Sequence, residues 1–301
     1  MILLLDSGNS RLKAALVARD AAGIWQYAGE PVALAHDTVA TALPAWLAAR
    51  LPENPIPQVR AARHVPTAIG LSAPSSGQRL QGAIGVNVAG VLAAERIAAV
   101  LLAHGVDAID WQVPGEAALG LRNGYRAPTQ LGADRWMGLV GIWTSLVVQT
   151  APGSGPRPRQ LVNFGTATTV DTISPDGVFV GGLIVPGWNL MRDALAQRTA
   201  QLPTAAGVVL DFPADTHDAI TSGIAAAQAG AVLRQWMIAR ARFGAAPTLY
   251  ITGGASDAVV NEIAQLLALS GVTAPLERIA HPVLDGLRAV LRQRAAMAPE
   301  R

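Results

Sequence analysis

The chain has 301 residues, of which 51% are hydrophobic, so it can bury more apolar surface than a single core usually contains. It has no cysteine, which excludes disulfide bonds and cysteine-ligated zinc sites. The formal net charge is only +2, and no basic cluster is interleaved with aromatic residues, so we do not expect a nucleic-acid-binding protein.

The N-terminal residues predict a strand and not a signal peptide. They read Met1-Ile-Leu-Leu-Leu-Asp6, with no basic segment before the apolar run. The best candidate for a membrane span, Ala83 to Ala103, is interrupted by Glu95 and Arg96. We therefore expect a cytoplasmic protein with no membrane partner.

The first part of the chain predicts strands that alternate with helices. In order, these are strands at 2–6, 11–18 and 24–28, a helix at 38–51, a proline-rich loop at 52–66, a strand at 69–73, a helix at 92–104 and a strand at 106–111. Such alternation indicates an α/β domain with a mixed sheet. We place the domain boundary near residue 115, which gives domains at 1–115 and 116–301.

The second part predicts the same mixture of elements. In order, these are a buried helix from 134, strands in the stretch 161–171, a turn at 175–177, a strand at 178–185, a helix at 189–197, a long helix at 219–242 capped by Asp215 or Thr216, a strand at 249–256 and helices at 257–269 and 283–297. Gly181-Gly182 marks a place where a backbone or a ligand comes close. Gly253-Gly254 can press a backbone against a nucleotide base or ribose, but a plain strand–helix turn is the more common case.

Two of these strand–turn–strand segments share one pattern. In each, an apolar run ends at a polar residue and continues into glycine and hydroxyl residues: Asp6-Ser-Gly-Asn-Ser10, and Asn163-Phe-Gly-Thr-Ala-Thr-Thr169. Glycine lets a ligand approach the backbone. Each turn alone is typical of an ordinary hairpin, but the pair favours a phosphate clamp, with Asp6 and Asp171 as the candidate carboxylates for a metal ion.

The chemistry of Asp134 has two interpretations. It lies at the predicted start of a helix, where aspartate commonly serves as the N-cap. It also precedes Arg135, and the two together are suited to a general base beside an arginine that holds a substrate. From the residues alone the N-cap is the more common case.

These residues together resemble the type III pantothenate kinase family over nearly the whole chain. Each motif is modest alone, and their order and spacing carry the resemblance. The motifs are Asp6-Ser-Gly-Asn-Ser10, Leu131-Gly-Ala-Asp-Arg-Trp136, Phe164-Gly-Thr-Ala-Thr-Thr-Val-Asp171, Gly181-Gly-Leu-Ile-Val-Pro-Gly187 with Leu190-Met191, Asp215-Thr216 and Thr252-Gly-Gly254.

The resemblance implies a fold and an activity. The fold is α/β, with two ribonuclease H-like domains of the actin-like ATPase type that close on an ATP cleft. The activity is ATP-dependent phosphorylation of pantothenate to 4′-phosphopantothenate, the first step towards coenzyme A. Family members are commonly homodimers with the site near the subunit interface, so we expect a homodimer that binds pantothenate, ATP and magnesium.

The resemblance also assigns residues. The loop that contacts ATP comprises Asp6, Ser7, Gly8, Asn9, Ser10, Arg11, Leu12 and Lys13, with Asp6 near magnesium and Thr166 in the second loop. The pantothenate pocket comprises Tyr125, Gly132, Ala133, Asp134, Arg135 and Thr216. Asp134 becomes the catalytic base, and Arg135 the partner of the pantothenate carboxylate, because a planar guanidinium suits bidentate recognition.

One position departs from the family pattern. The family often has an aspartate before Phe164-Gly-Thr, linked to a monovalent cation such as potassium or ammonium, whereas this chain has Asn163. An amide oxygen can ligate a cation but carries no negative charge. The departure argues against activation by potassium.

Two alternative functions compete with the pantothenate kinase. One is a different small-molecule kinase, or a polyphosphate-cleaving phosphatase, on the same fold; Tyr125, Asp134 and Arg135 argue against it. The other is a nucleotide-binding regulatory protein that has lost catalysis. Loss of Asp6 or Asp134 would favour that reading, and both are present.

Overall fold

A computed structural model describes residues 1–51, 80–145, 156–198, 207–272 and 274–297. The chain divides into two compact units, Met1–Trp111 and Gln112–Arg301, a few residues before the boundary expected near 115. The predicted loop at 52–66 and the predicted strand at 69–73 lie outside the described residues. No helix in the described ranges is long and apolar enough to cross a membrane.

The first unit is built on a six-stranded mixed sheet. Its elements are β1 (Ile2–Ser7), β2 (Arg11–Arg19), β3 (Trp25–Tyr27), β4 (Val32–Ala35), α1 (Val39–Ala48), β5 (Gly82–Asn87), α2 (Val91–Leu102) and β6 (Ile109–Trp111). The strand order is β3-β2-β1-β5-β6, with β4 paired to β2. β1 and β2 form the predicted antiparallel hairpin, and β5 and β6 run parallel to β1.

The second unit is built on a seven-stranded sheet of order β13-β12-β9-β10-β11-β8-β7. Its strands are β7 (Ala117–Ala118), β8 (Leu121–Asn123), β9 (Arg159–Phe164), β10 (Ala167–Ile173), β11 (Val178–Pro186), β12 (Thr248–Thr252) and β13 (Leu276–Arg278). Its helices are α3 (Ala133–Thr144), α4 (Trp188–Arg198), α5 (Thr216–Phe243), α6 (Ser256–Leu269) and α7 (Pro282–Met297), with a 3₁₀ turn at Pro128–Gln130.

The two sheets share one central arrangement. In the first, the hairpin strand β1 lies between its antiparallel partner β2 and the parallel strand β5; in the second, β9 lies between antiparallel β10 and parallel β12. The turns after β1 and β9 are therefore equivalent, as their residue patterns predict. The predicted fold class, α/β with two ribonuclease H-like domains of the actin-like type, is confirmed.

Two glycines bring α3 and α7 into close contact. A Cβ on Gly141 of α3 would overlap the carbonyl oxygen of Pro282, and a Cβ on Gly286 of α7 would overlap that of Met137. On the neighbouring turn of α3, a Cβ on Gly138 would lie 2.9 Å from Leu161 of β9. Small residues thus press α3, whose first turn carries Asp134 and Arg135, onto the sheet.

Replacing one of these glycines should loosen the helix pair. Gly286→Ala should lower the free energy of unfolding by about 1–3 kcal/mol, because the added methyl group overpacks the crossing. Gly230→Ala is the matched control: it lies within α5 with open space around it, and should raise stability by about 0.5–1 kcal/mol. Equal unfolding midpoints in urea would contradict the tight crossing.

Candidate active site

The turn after β1 brings together the residues expected to bind ATP. Gly8 N donates to the carbonyl oxygen of Arg11 at 3.1 Å, which closes the turn, and His36 Nε2 lies 2.6 Å from the carbonyl oxygen of Gly8. Asp6 is buried at the end of β1. Its register partner on β2 is Lys13, whose Nζ lies 3.7 Å from Asp6 Oδ2.

The turn after β9 is exposed at Gly165 and Thr166. Gly187 N donates to the carbonyl oxygen of Thr166 at 3.0 Å. A Cβ on Gly187 would overlap the carbonyl oxygen of Gly165, and one on Gly253 would overlap that of Phe164. The glycines after β11 and β12 are therefore required by contacts within the chain, and Gly253 needs no ligand to explain it.

Asp171 does not lie at this turn. It is four positions beyond Ala167 on β10, about 13 Å along the strand, and it is fully buried. Its carboxylate is bound by Arg135 of α3: Nε donates to Oδ2 at 3.1 Å and Nη2 to Oδ1 at 2.5 Å. The expectation that Asp171 serves a metal ion at the phosphate turn is wrong.

Arg135 contacts several other groups of the second unit. Besides the two bonds to Asp171, its Nη1 donates to Tyr125 Oη at 3.2 Å. The guanidinium carbon lies 5.9 Å from the ring centre of Tyr125 and 6.0 Å from that of Phe179, within the range of cation–π attraction. We call Tyr125, Asp134, Arg135, Asp171 and Phe179 the arginine cluster.

The protonation equilibria of the pair reflect burial and charge. Burial acts to lower the pKa of the Arg135 guanidinium, but the hydrogen bonds and the charge of Asp171, followed by those of Tyr125, raise it above its ordinary value. Burial raises the pKa of the Asp171 carboxyl group, and the hydrogen bonds and charge of Arg135 act against that rise. Arg135 therefore stays charged, and removing its partner would leave a buried cation unpaired.

Gly182 makes room for this ion pair. It lies opposite Asp171 in the register of β10 and β11, where a Cβ would overlap Asp171 Oδ1 and lie 3.1 Å from Arg135 Nη2. The paired glycines in β11 therefore mark a close approach, and the groups that approach are the side chains of Asp171 and Arg135, not a ligand.

Asp134 lies at the start of α3, as predicted, but is not its N-cap. The N-cap is Gly132, and Asp134 follows in the first turn. Asp134 Oδ1 accepts a hydrogen bond from Arg135 N at 2.8 Å, and a Cβ on Gly132 would lie 2.8 Å from the same oxygen. The capping interpretation is therefore wrong. The carboxylate is half-buried, held through one oxygen.

Two other expected site residues have different surroundings. Asn163 of β9 lies opposite Thr169 of β10, on the face of the sheet that also carries Asp171. Thr216 is the first residue of α5, which is capped by Asp215. Among the described residues, no hydrogen bond or ion pair links Thr216 to the arginine cluster.

A sequence model of type III pantothenate kinases matches residues 2–238. The chain belongs to this family. It is 47% identical to the type III pantothenate kinase of Bordetella pertussis, over 99% of this chain and 100% of the relative. It is 35% identical to that of Acidovorax ebreus, over 99% and 98%.

Solved structures agree on the fold. A protein described as a conserved Baf family transcriptional activator from Campylobacter jejuni matches with a TM-score of 0.55 and 16% identity, over 98% of this chain and 100% of that one. A protein described as a 2-dehydro-3-deoxygalactonokinase from Sinorhizobium meliloti matches with a TM-score of 0.51 and 13% identity, over 99% and 100%. At such identities the likeness shows the fold alone.

The type III pantothenate kinase match spans every site residue expected from the sequence, from Asp6 to Thr216. A cavity of about 840 Å³ lies elsewhere, among α3, β13 and α7, where Thr144, Glu277 and Arg288 line it. None of the expected site residues lines this cavity.

Proposed function

We propose that the chain transfers the terminal phosphoryl group of ATP to pantothenate and so makes 4′-phosphopantothenate. Membership of the type III pantothenate kinase family supports the substrates. The observation that carries the proposal is the placement of Asp134 beside Arg135, with one carboxylate oxygen fixed by a backbone amide. A base and a cation on one helix turn suit an acceptor that has both a hydroxyl and a carboxylate.

Asp134 acts as the proton acceptor in this proposal. Its Oδ1 is occupied by Arg135 N, so Oδ2 is the oxygen that meets the acceptor hydroxyl. Phosphoryl transfer depends on positioning and charge neutralisation more than on covalent catalysis. As the hydroxyl oxygen bonds to phosphorus, its proton passes to Asp134 and ADP leaves.

Arg135 binds the pantothenate carboxylate with the edge of its guanidinium that does not face Asp171. Its Nε and one N–H of Nη2 already point at Asp171, and one N–H of Nη1 points at Tyr125. Within the described parts of the chain, the second N–H of each Nη has no other hydrogen-bond acceptor. We propose that these two form the bidentate contact, with Tyr125 beside it.

The two equivalent turns bind ATP in this proposal. In each unit the turn is a candidate phosphate-binding loop: Asp6 to Lys13 in the first carries the cations Arg11 and Lys13 and the exposed hydroxyl residue Ser10, and the second carries the exposed Thr166. Magnesium, when bound, neutralises phosphate charge. Asp6 suits it, since a carboxylate together with substrate phosphates is the donor set that magnesium prefers.

Asp134→Asn should lower pantothenate-dependent ADP release about a hundredfold or more, because the amide cannot accept the proton. The matched control is Asp257→Asn, an aspartate in the first turn of α6 that is largely exposed; it should keep the wild-type rate. The assay contains ATP, magnesium and pantothenate. Folded wild-type protein that shows no pantothenate-dependent turnover would contradict the kinase and favour the regulatory nucleotide binder.

We propose that Asn163 frees the enzyme from potassium or ammonium. Its side chain lies on the same sheet face as Thr169 and Asp171, close to the turn, where an aspartate would add negative charge for a cation. The amide supplies an oxygen without that charge.

Wild-type turnover in potassium, ammonium or sodium salts should agree within about twofold, because no charged ligand attracts the cation. Asn163→Asp should introduce activation by potassium. The control is Asn261→Asp, at an exposed amide side chain of α6, which should not introduce this activation. A wild-type enzyme that requires potassium would contradict the role of Asn163.

We propose a homodimer whose contact uses exposed apolar residues of β11, α4 and the segment before α5. We call these residues the apolar surface: Ile184, Leu190, Leu195, Val208, Leu210 and Phe212. All six side chains are exposed, and Phe212 is 94% exposed. The segment with Val208 and Leu210 is hydrogen-bonded to the start of α5. Exposed apolar patches of this kind usually mark protein contacts.

Light scattering should give about twice the 31.1 kDa chain mass. Phe212→Asp should shift the protein towards the monomer, since a charge at an apolar contact disfavours association. Leu102→Asp, at an exposed apolar residue of α2 in the first unit, should leave the mass unchanged. A monomeric wild type, or an equal mass for the two variants, would contradict the role of this surface in dimer formation.

A further inference from the structure

Asp171 is a buried carboxylate with no role in the expected site. Its side chain is 1% exposed and that of Arg135 is 9% exposed, so Asp171 cannot meet a substrate except through Arg135. A buried ion pair is weak evidence for stability, because both charges lose their hydration. The arrangement around the pair therefore calls for a functional explanation.

Asp171 is itself placed by its neighbours in the sheet. Thr169, two residues earlier on the same face of β10, acts to lower the pKa of the Asp171 carboxyl group against the rise from burial. Gly182 on the adjacent strand leaves the space that the pair fills. Both neighbours belong to the sheet, so the direction of Arg135 is set by a rigid element and not by a loop.

Without Asp171, the guanidinium would keep only one hydrogen bond, to Tyr125, and its contacts with two aromatic rings. An arginine side chain has many rotamers, and restricting them costs conformational entropy. Asp134 is the other carboxylate of the cluster, and its charge acts on Asp171. An unpaired Arg135 could turn towards Asp134, which would occupy the proposed base.

We propose that Asp171 is a positioning residue that determines specificity for a carboxylate-bearing acceptor: it fixes the Nε–Nη2 edge of Arg135 against the sheet and leaves the Nη1–Nη2 edge for the substrate. This proposal rests on the role of Arg135 in the proposed function. Asp171 itself touches neither substrate nor transferred phosphate.

The test compares two acceptors that share the reacting hydroxyl. Pantothenate carries a carboxylate, and pantothenyl alcohol carries a neutral CH₂OH group in its place. The measured quantity is the ratio of kcat/KM for the two acceptors. Because both values refer to the same protein sample, a partly unfolded variant changes them equally and leaves the ratio unaffected.

Asp171→Asn should reduce the preference for pantothenate by roughly tenfold or more, the value of a lost hydrogen bond to a charged group. Gly182→Ala should act in the same direction, since it displaces the same pair without changing a charge. Thr172→Val is the matched control, because Thr172 lies on the other face of β10. Its hydroxyl accepts a hydrogen bond from Gln160 of β9 there. It should leave the ratio within about twofold of wild type.

A double-mutant cycle tests whether Asp171 acts through Arg135. In an Arg135→Gln background, Asp171→Asn should change the ratio by less than about twofold, because the group that it positions is already gone. If the two substitutions instead reduce the ratio independently, so that their effects multiply, the proposal is overturned. A folded Asp171→Asn variant that keeps the wild-type ratio would also overturn it. The same holds for a folded variant that loses kcat/KM equally on both acceptors.

This experiment distinguishes failure of the positioning role of Asp171 from failure of the proposed function. If the wild type phosphorylates neither acceptor, the kinase proposal fails first. If it phosphorylates pantothenate and Asp171→Asn keeps the wild-type ratio, the kinase stands and only the positioning role of Asp171 fails.

Discussion

The proposed acceptor site depends on one buried charge. Arg135 extends from the first turn of α3 over Gly182 to a carboxylate inside the sheet, and the cost of burying a cation is offset only because Asp171 accepts two of its hydrogen bonds. The rings of Tyr125 and Phe179 pack together on one side of the guanidinium. Since the pair ties α3 to β10, it also fixes the adjacent Asp134, whose carboxylate is held by the amide of Arg135.

The fold explains why this charge is where it is. Strand β10 places Thr169 and Asp171 on one face, opposite Asn163 and Leu161 of β9. The other face packs against α5 and α6 through apolar residues such as Val162 and Val170. Glycines at the α3–α7 crossing let α3 approach the polar face, so one helix delivers both the proposed base and the arginine.

Much of the fold and part of the site follow from sequence. The two hairpins, the long helix α5 with its Asp215 cap and the motifs around Asp6, Asp134 and Thr166 have local signals. Strand β5 has no such signal, because Gly82 and Gly85 interrupt the run of apolar residues. Gly85 is required by packing, since a Cβ there would meet Leu5 and Trp111. The partner of Arg135 lies 36 residues away, and a local pattern cannot indicate a pairing across the sheet.

The most direct measurement is a crystal structure with pantothenate and a non-hydrolysable ATP analogue. Our account predicts the pantothenate carboxylate on the Nη1–Nη2 edge of Arg135, with the Nε–Nη2 edge still on Asp171, and the 4′-hydroxyl beside Asp134. Pantothenate bound elsewhere, for example in the cavity among α3, β13 and α7, would contradict it. So would an Arg135 that leaves Asp171 to bind the substrate with its inner edge.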